Sequence, residues 1–101
     1  MKNAHKFYIG GEWVDPERLR ELHVIDPSTE QSIGTIAIGS MADAERAIEA
    51  ARAAFPIFSQ STKAERRALL ERVLMILKRR KHEIGDIISR EMGAPLAMAR
   101  A

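Results

Sequence analysis

The sequence predicts an α+β fragment in which two amino-terminal antiparallel β-hairpins precede two to three α-helices. Short β-prone runs separated by turn residues fill residues 1–39, and the apolar residues then change from a spacing of about 2 to a spacing of about 3.6. Helix-start signals at Ser40 and Thr62 agree with this change. Residues 1–39 are therefore assigned to hairpins and residues 40–101 to helices.

The first hairpin is predicted over residues 6–14. The β-prone runs Lys6–Ile9 and Glu12–Val14 are separated by Gly10-Gly11. A Gly-Gly pair supplies the positive φ angles that a two-residue hairpin turn needs. Asp15-Pro16 then ends the second run.

The second hairpin is predicted from the runs Leu22–Ile25 and Ile33–Ile38. Between them, residues 26–29 read Asp-Pro-Ser-Thr, which suits a type I turn. Asp26 can accept a hydrogen bond from the backbone ahead, and Pro27 presets φ at the second position.

The first helix is predicted over roughly Ala42–Phe55, with Ser40 as its N-cap and Asp43 favourable in its first turn. Pro56 is expected to stop it, because proline cannot donate the helical hydrogen bond. The acidic and basic residues, Asp43 among them, are placed outside the apolar face, which consists of Ala44, Ala47, Ile48, Ala51, Phe55 and Phe58.

A long, bent helical segment is predicted over roughly Lys63–Met92. Thr62 and Glu65 have the spacing of a capping box, and Gly85 is the expected bend. Gly93 fits a left-handed C-cap, and Pro95 can begin a further helix. Apolar residues occupy more than one narrow stripe of this segment. Burying so wide an apolar surface requires additional chain or an oligomer.

Composition restricts the classes of function. The 101 residues suit one domain or part of one, and the net charge of +2 gives no reason to expect a nucleic-acid partner. There are no cysteines, so these residues hold no disulfide, thiolate metal site or cysteine nucleophile. We find no signal peptide and no apolar run of membrane-spanning length, and we expect a cytoplasmic protein.

Five segments, taken in order, resemble the landmarks of one known protein family. Residues 7–13 are similar to its opening Y-I-x-G-x-W hairpin, and residues 24–29 to its V-x-N-P-A-T turn. Residues 33–36 resemble the strand that follows, and residues 44–55 the A-V-x-A-A-R-x-A-F helix. The fifth segment comprises Arg66, Leu69 and Leu70 followed by Glu91-Met92-Gly93-Ala94-Pro95. Together, these five segments resemble the aldehyde dehydrogenase superfamily. In the family, Asn is more frequent at position 26 and Gly-Glu at positions 30–31.

The resemblance implies that residues 1–101 form the amino-terminal part of the dinucleotide-binding domain of an NAD- or NADP-dependent aldehyde dehydrogenase, within the larger α/β fold of that family. It also implies an aldehyde substrate, a homo-oligomeric parent enzyme and a reading frame that continues past Ala101. The family's chemistry uses a cysteine nucleophile, a glutamate base and an oxyanion hole. No residue here matches those groups or a phosphate-binding motif, so we assign no catalytic and no cofactor-binding residue.

One minor site is implied by the resemblance. Some members of the family hold a monovalent cation with backbone carbonyls that correspond to Val24 and Ile25. Hard cations favour oxygen ligands. The alternative is that both are ordinary strand residues whose carbonyls pair within a sheet.

The sequence also admits functions other than that of an enzyme segment. The main alternative is an autonomous α+β protein-interaction module without enzymatic activity. A small nucleic-acid binder is disfavoured by the thin charge surplus and the few aromatics. His82-Glu83-Ile84-Gly85-Asp86 imitates a zinc-binding helix, but a solvated helix turn is favoured. The basic run Lys78–Lys81 is interpreted as a solvated helix face or a helix C-terminus, an end that cations favour.

Overall fold

The structure, a computed structural model, describes residues 2–101. These residues form two compact units. The first contains residues 2–24 and 32–60, and the second contains residues 25–31 and 61–101. Residues 2–101 contain two antiparallel strand pairs and four helices, as the sequence predicts except that the long predicted helical segment is divided into two helices.

The first hairpin consists of β1 (Phe7–Ile9) and β2 (Glu12–Val14). Phe7 pairs with Val14 and Ile9 with Glu12, so that Gly10 and Gly11 alone form the turn. Their φ angles are 63° and 85°, as the predicted two-residue turn requires. Tyr8 and Trp13 pack on the solvent side with ring centroids 5.2 Å apart.

The second hairpin consists of β3 (Glu21–Asp26) and β4 (Gln31–Ala37). The backbone N–H of Ser28 donates to Asp26 Oδ1 at 2.8 Å and the Ser28 hydroxyl donates to the same oxygen at 2.6 Å, which confirms the predicted turn bond. These hydrogen bonds, the one from the hydroxyl first, lower the pKa of Asp26. Glu30 closes the loop with its N–H on the Asp26 carbonyl and a φ of 57°.

Helix α1 spans Met41–Phe58 and contacts β1. Ser40 caps it as predicted, but the prediction that Pro56 stops the helix is wrong. Proline removes a single N–H from the helix, and the last turn is completed by the N–H of Ser59 donating to Phe55 O at 2.8 Å.

Helices α2 (Lys63–Arg79), α3 (Lys81–Met92) and α4 (Leu96–Ala99) follow. The capping box of Thr62 and Glu65 and the left-handed cap at Gly93, with φ of 74°, are confirmed. The predicted bend at Gly85 is wrong, because the break lies at Arg80, between α2 and α3. Gly85 is buried inside α3, where a close backbone neighbour explains the absence of a side chain.

No hydrophobic side chain among the described residues is fully buried. The better covered apolar side chains, such as Phe7, Ile9 and Val14, are only half-buried. No helix in residues 2–101 is long and apolar enough to cross a membrane.

Glu30 provides a test of the second turn. A left-handed conformation costs a residue with a Cβ about 1–2 kcal/mol, whereas glycine loses about 0.4–1 kcal/mol through greater unfolded-state entropy. Glu30→Gly should therefore raise the free energy of unfolding by about 0.5–1 kcal/mol, measured by urea denaturation followed by circular dichroism. Glu30→Ala is the control and should bring no gain. An equal gain in both variants would show that the loss of the carboxylate, and not of backbone strain, is responsible.

Candidate functional site

Asp43 is the only buried polar or charged residue among those described, with 3% of its surface exposed. It is the third residue of α1 and forms a reciprocal capping box with Ser40. The N–H of Asp43 donates to Ser40 Oγ at 3.2 Å, and the N–H of Ser40 donates to Asp43 Oδ2 at 3.0 Å. Two otherwise unpaired backbone donors are thereby satisfied at the start of the helix.

The other carboxylate oxygen of Asp43 fixes the segment that follows β2. Asp43 Oδ1 accepts the N–H of Glu17 at 3.0 Å and the Arg46 guanidinium at 2.9 Å. Arg46 also donates to the carbonyl of Asp15 at 3.0 Å. The Ser40 hydroxyl donates to Glu17 Oε2 at 2.7 Å. We call these five residues the Asp43 node. The node joins the chain after β2 to the N-terminus of α1.

The hydrogen bonds of the node hold the pKa of Asp43 below its ordinary value. The N–H of Ser40 has the largest effect, and the N–H of Glu17, the Ser40 hydroxyl and the charge of Arg46 act in the same direction. Burial of the carboxylate opposes them without reversing the direction. The carboxylate is therefore ionised at neutral pH, and its role is structural.

The sequence prediction misplaced Asp43, because it assigned that residue to the outside of α1. The apolar face predicted to be buried is instead exposed, with Ile48, Phe55 and Phe58 at 52%, 68% and 53%. Ser40 followed three residues later by an acidic side chain is a capping-box signal that could have identified the bond to the Ser40 backbone. The bonds to Glu17 and Arg46 depend on tertiary placement.

Helix α2 has the widest uncovered apolar surface. None of its residues is buried. Its exposed side chains occupy roughly half of the helix circumference, well beyond the stripe of an ordinary surface helix. The large apolar residues concerned are Leu69, Leu70, Val73, Leu74, Met75, Ile76 and Leu77. In soluble proteins, an apolar surface of this width is normally covered by another chain segment or by a partner.

A smaller apolar feature lies in the first unit. An open groove of about 510 Å³ runs between β1 and the first turns of α1. Phe7 and Ile9 line one side, and Ala44 and Ala47 of the exposed α1 face line the other. Lys6, Ser40 and Asp43 also line the groove. Ser40 and Asp43 are hydrogen-bonded to each other within the node, and Lys6 forms an ion pair with Asp15 at 3.2 Å.

The residues for which the sequence analysis predicted or rejected a binding role do not come together in one site. Val24 and Ile25 both lie in β3, the former half-buried and the latter 46% exposed, and their role as cation ligands stays a prediction. Gly10-Gly11 joins two strands and is not followed by a helix, so it does not fit a dinucleotide phosphate. Residues 2–101 contain no group of three His, Asp or Glu side chains that could hold a metal.

The basic run Lys78–Lys81 and the motif of residues 82–86, which imitates a zinc-binding helix, meet at the junction of α2 and α3. The Arg80 guanidinium donates to both carboxylate oxygens of Glu83, at 2.9 Å and 2.6 Å, which lowers the pKa of Glu83 and raises that of Arg80. Asp86 accepts from Arg100 at 2.6 Å. Helix α2 ends at Arg79, so the reading of the run as a helix end is confirmed.

Comparison with known proteins gives a consistent result. A sequence model of the aldehyde dehydrogenase family matches residues 13–101. The 3-succinoylsemialdehyde-pyridine dehydrogenase of a Pseudomonas species is 42% identical over 96 residues, which are 95% of this chain and 20% of that protein. The chain thus spans about one fifth of the length of its relatives.

Solved structures agree in fold as well as in sequence. Aldehyde dehydrogenase C of Pseudomonas syringae, a cysteine-to-alanine variant in complex with NAD+ and octanal, is 40% identical with a TM-score of 0.97 over 99% of this chain and 21% of its own. The aldehyde dehydrogenase of Bartonella henselae is 44% identical, with a TM-score of 0.92 over 94% of this chain and 20% of its own.

The Asp43 node predicts a pH dependence with a definite sign. A lowered folded-state pKa means that the stabilisation by Asp43 is present above the ordinary aspartate pKa, about 3.9, and is lost as the pH falls through the folded-state value. The amides of Glu17 and Ser40 should therefore lose protection from hydrogen exchange in acid, as measured by NMR.

Asp43→Asn should remove much of that protection at neutral pH, because an amide nitrogen would face backbone donors. Glu49→Gln is the matched control, since it removes the same charge from an exposed position of α1. If the control lowered the protection of Glu17 as much as Asp43→Asn does, net charge and not the node would be responsible.

Proposed function

The chain belongs to the aldehyde dehydrogenase family, and we propose that it forms the structural amino-terminal segment of an NAD(P)-dependent enzyme that oxidises an aldehyde to a carboxylic acid. In this proposal residues 1–101 are the first part of the dinucleotide-binding domain. The observation that carries the proposal is the uncovered apolar surface of α1 and α2, in a chain that spans about one fifth of its relatives.

The roles proposed for this chain and for the rest of the enzyme follow from the residue types present in this chain. Oxidation of an aldehyde through a covalent intermediate needs a nucleophile, a base and donors for the oxyanion. This chain has no cysteine, and its buried carboxylate is occupied by backbone and guanidinium donors. A nucleophile supplied by further chain is supported by the octanal complex of aldehyde dehydrogenase C, in which a cysteine is replaced by alanine.

An NAD-type cofactor is proposed on the same basis. Solved relatives bind NAD+, among them the octanal complex and the betaine aldehyde dehydrogenase of Staphylococcus aureus, which is 29% identical to this chain. The cofactor would accept a hydride from the substrate when bound. The residues of this chain would support the domain that holds it, and the choice between NAD and NADP would rest with that further chain.

We also propose that the complete enzyme is a cytoplasmic homo-oligomer. Broad apolar surfaces in soluble proteins mark interfaces, which supports an assembly. Cell fractionation and sedimentation velocity of the complete protein test the two parts, and a monomer would contradict the second.

The proposed cation site at the carbonyls of Val24 and Ile25 is tested through stability. A ligand that binds only the folded state raises the melting temperature once its concentration exceeds its dissociation constant. The complete enzyme should therefore melt at a higher temperature in potassium or sodium chloride than in choline chloride of equal ionic strength. Equal melting temperatures would exclude the site.

A chimera tests the structural role directly. Residues 1–101 replace the matching segment of aldehyde dehydrogenase C from Pseudomonas syringae, and formation of reduced cofactor is followed with octanal and NAD+. The 101-residue chain should show no turnover alone, and the chimera should be active. Turnover by the chain alone would overturn the proposal.

Variants of the chimera locate the surface that matters. Leu70→Glu combined with Leu74→Glu should abolish activity, because two charges would be placed in the apolar surface of α2. Arg72→Glu, at an exposed polar position of the same helix, is the matched control and should retain activity. Full activity in the double variant would show that this surface remains uncovered in the enzyme.

A further inference from the structure

Helix α4 lies against α3 without burying its own large apolar side chains. Leu96 is 45% exposed and Met98 is 73% exposed. The hydrophobic effect therefore contributes little to holding α4 in place within residues 2–101, and other contacts must account for its position.

The closest of these contacts is between backbones, at Gly85. A Cβ at Gly85 would lie 2.6 Å from the carbonyl oxygen of Ala99 and 2.9 Å from the Cα of Arg100. Both atoms belong to the main chain, which cannot rotate aside as a flexible side chain can. Glycine is thus required at this position for α4 to approach α3.

Two polar contacts flank the glycine. The Nε–H of Arg100 donates to Asp86 Oδ1 at 2.6 Å, which lowers the pKa of Asp86 and raises that of Arg100. One turn later in α3, the hydroxyl of Ser89 donates to the carbonyl of Ala94 at 2.8 Å. The ion pair joins α3 to the residue that ends α4, and the hydroxyl holds the connection between the helices.

The connection itself is short and conformationally restricted. Gly93 ends α3 in the left-handed region, and Pro95 precedes the first residue of α4 with a φ of −53°. The proline ring confines φ to about −65 ± 15°, so the chain turns at a defined angle. The Pro27 ring would lie 3.3 Å from a Cβ at Gly93, which restricts the turn further.

We propose that residues 81–101 form a self-contained clamp, in which Gly85 admits α4 and the contacts of Asp86 and Ser89 hold it. Gly85 is a positioning residue. The clamp needs no chain outside the described residues. Its consequence for an enzyme rests on the proposed function: α4 would hold its direction before the remaining chain docks on the uncovered helices.

The substitution Gly85→Ala tests this proposal, because the direction of its effect on the helices depends on whether the clamp exists. In an ordinary helix interior, alanine in place of glycine strengthens the helix. Here the added Cβ should displace α4, so the two alternatives predict opposite outcomes.

The experiment uses NMR on the full 101-residue chain. A nuclear Overhauser contact between the α protons of Gly85 and Arg100 is expected in the unaltered chain, together with slowed exchange of the Ala99 and Arg100 amides. In Gly85→Ala, contacts between residue 85 and Arg100 should be lost, and these amides should exchange about tenfold faster. Protection within α1 should not change.

Asp86→Asn should accelerate the same amides by less, because an exposed ion pair contributes little. Glu91→Gln is the matched control, an exposed carboxylate of α3 that forms no ion pair with any described residue. It should leave α4 unchanged.

Two results would overturn the clamp. One is the absence of the Gly85 to Arg100 contact in the unaltered chain, which would mean that α4 is not held without further chain. The other is slower or unchanged exchange in Gly85→Ala. Neither result concerns turnover, so failure of the clamp is distinguishable from failure of the proposed enzyme role, which is read from the activity of the chimera.

Discussion

The lack of cover over its apolar side chains is the constraint on which the rest of this structure depends. A domain of about this size ordinarily buries somewhat over ~60% of the surface that its unfolded chain exposes. Here no hydrophobic side chain in residues 2–101 is fully buried, and the wide apolar surface of α2 is open. Most helical stability in proteins comes from packing of such surfaces. The chain therefore depends on cover that these residues do not supply to one another.

With little apolar burial, local hydrogen bonds and close backbone contacts define the positions of the elements. The two residues that are buried within residues 2–101 illustrate this, because neither is hydrophobic in the usual sense. Asp43 joins the chain after β2 to the start of α1 through donors on Ser40, Glu17 and Arg46. Gly85 allows α4 to approach α3. Both specify geometry, whereas the apolar surfaces remain available for further packing.

The same distinction explains which parts of the fold could be predicted from the sequence. The Gly10-Gly11 turn, the cap at Thr62 and the cap at Gly93 depend on residues close in the chain, and all three were predicted correctly. The role of Gly85 and the burial of Asp43 depend on residues 14 and 26 positions away, at Ala99 and Glu17. A periodic pattern could not reveal them, because it assumes that apolar faces are the buried ones.

The functional assignment depended on different information. The order of five family-like segments identified the aldehyde dehydrogenase family, which the match over residues 13–101 confirms. No arrangement of side chains in the described residues would have led to that activity, since the polar contacts at Asp43, Glu83 and Asp86 are all structural. The cation site at Val24 and Ile25 rests on resemblance alone, because backbone carbonyls leave no signature in side-chain chemistry.

The most direct test of this account is whether the surface of the 101-residue chain is uncovered in solution. Sedimentation velocity over a range of concentrations, together with fluorescence of a dye that binds apolar surfaces, measures this property. We expect concentration-dependent association and strong dye binding, both reduced when Leu70 and Leu74 are replaced by glutamate. A compact monomer that binds no dye at any concentration would contradict it.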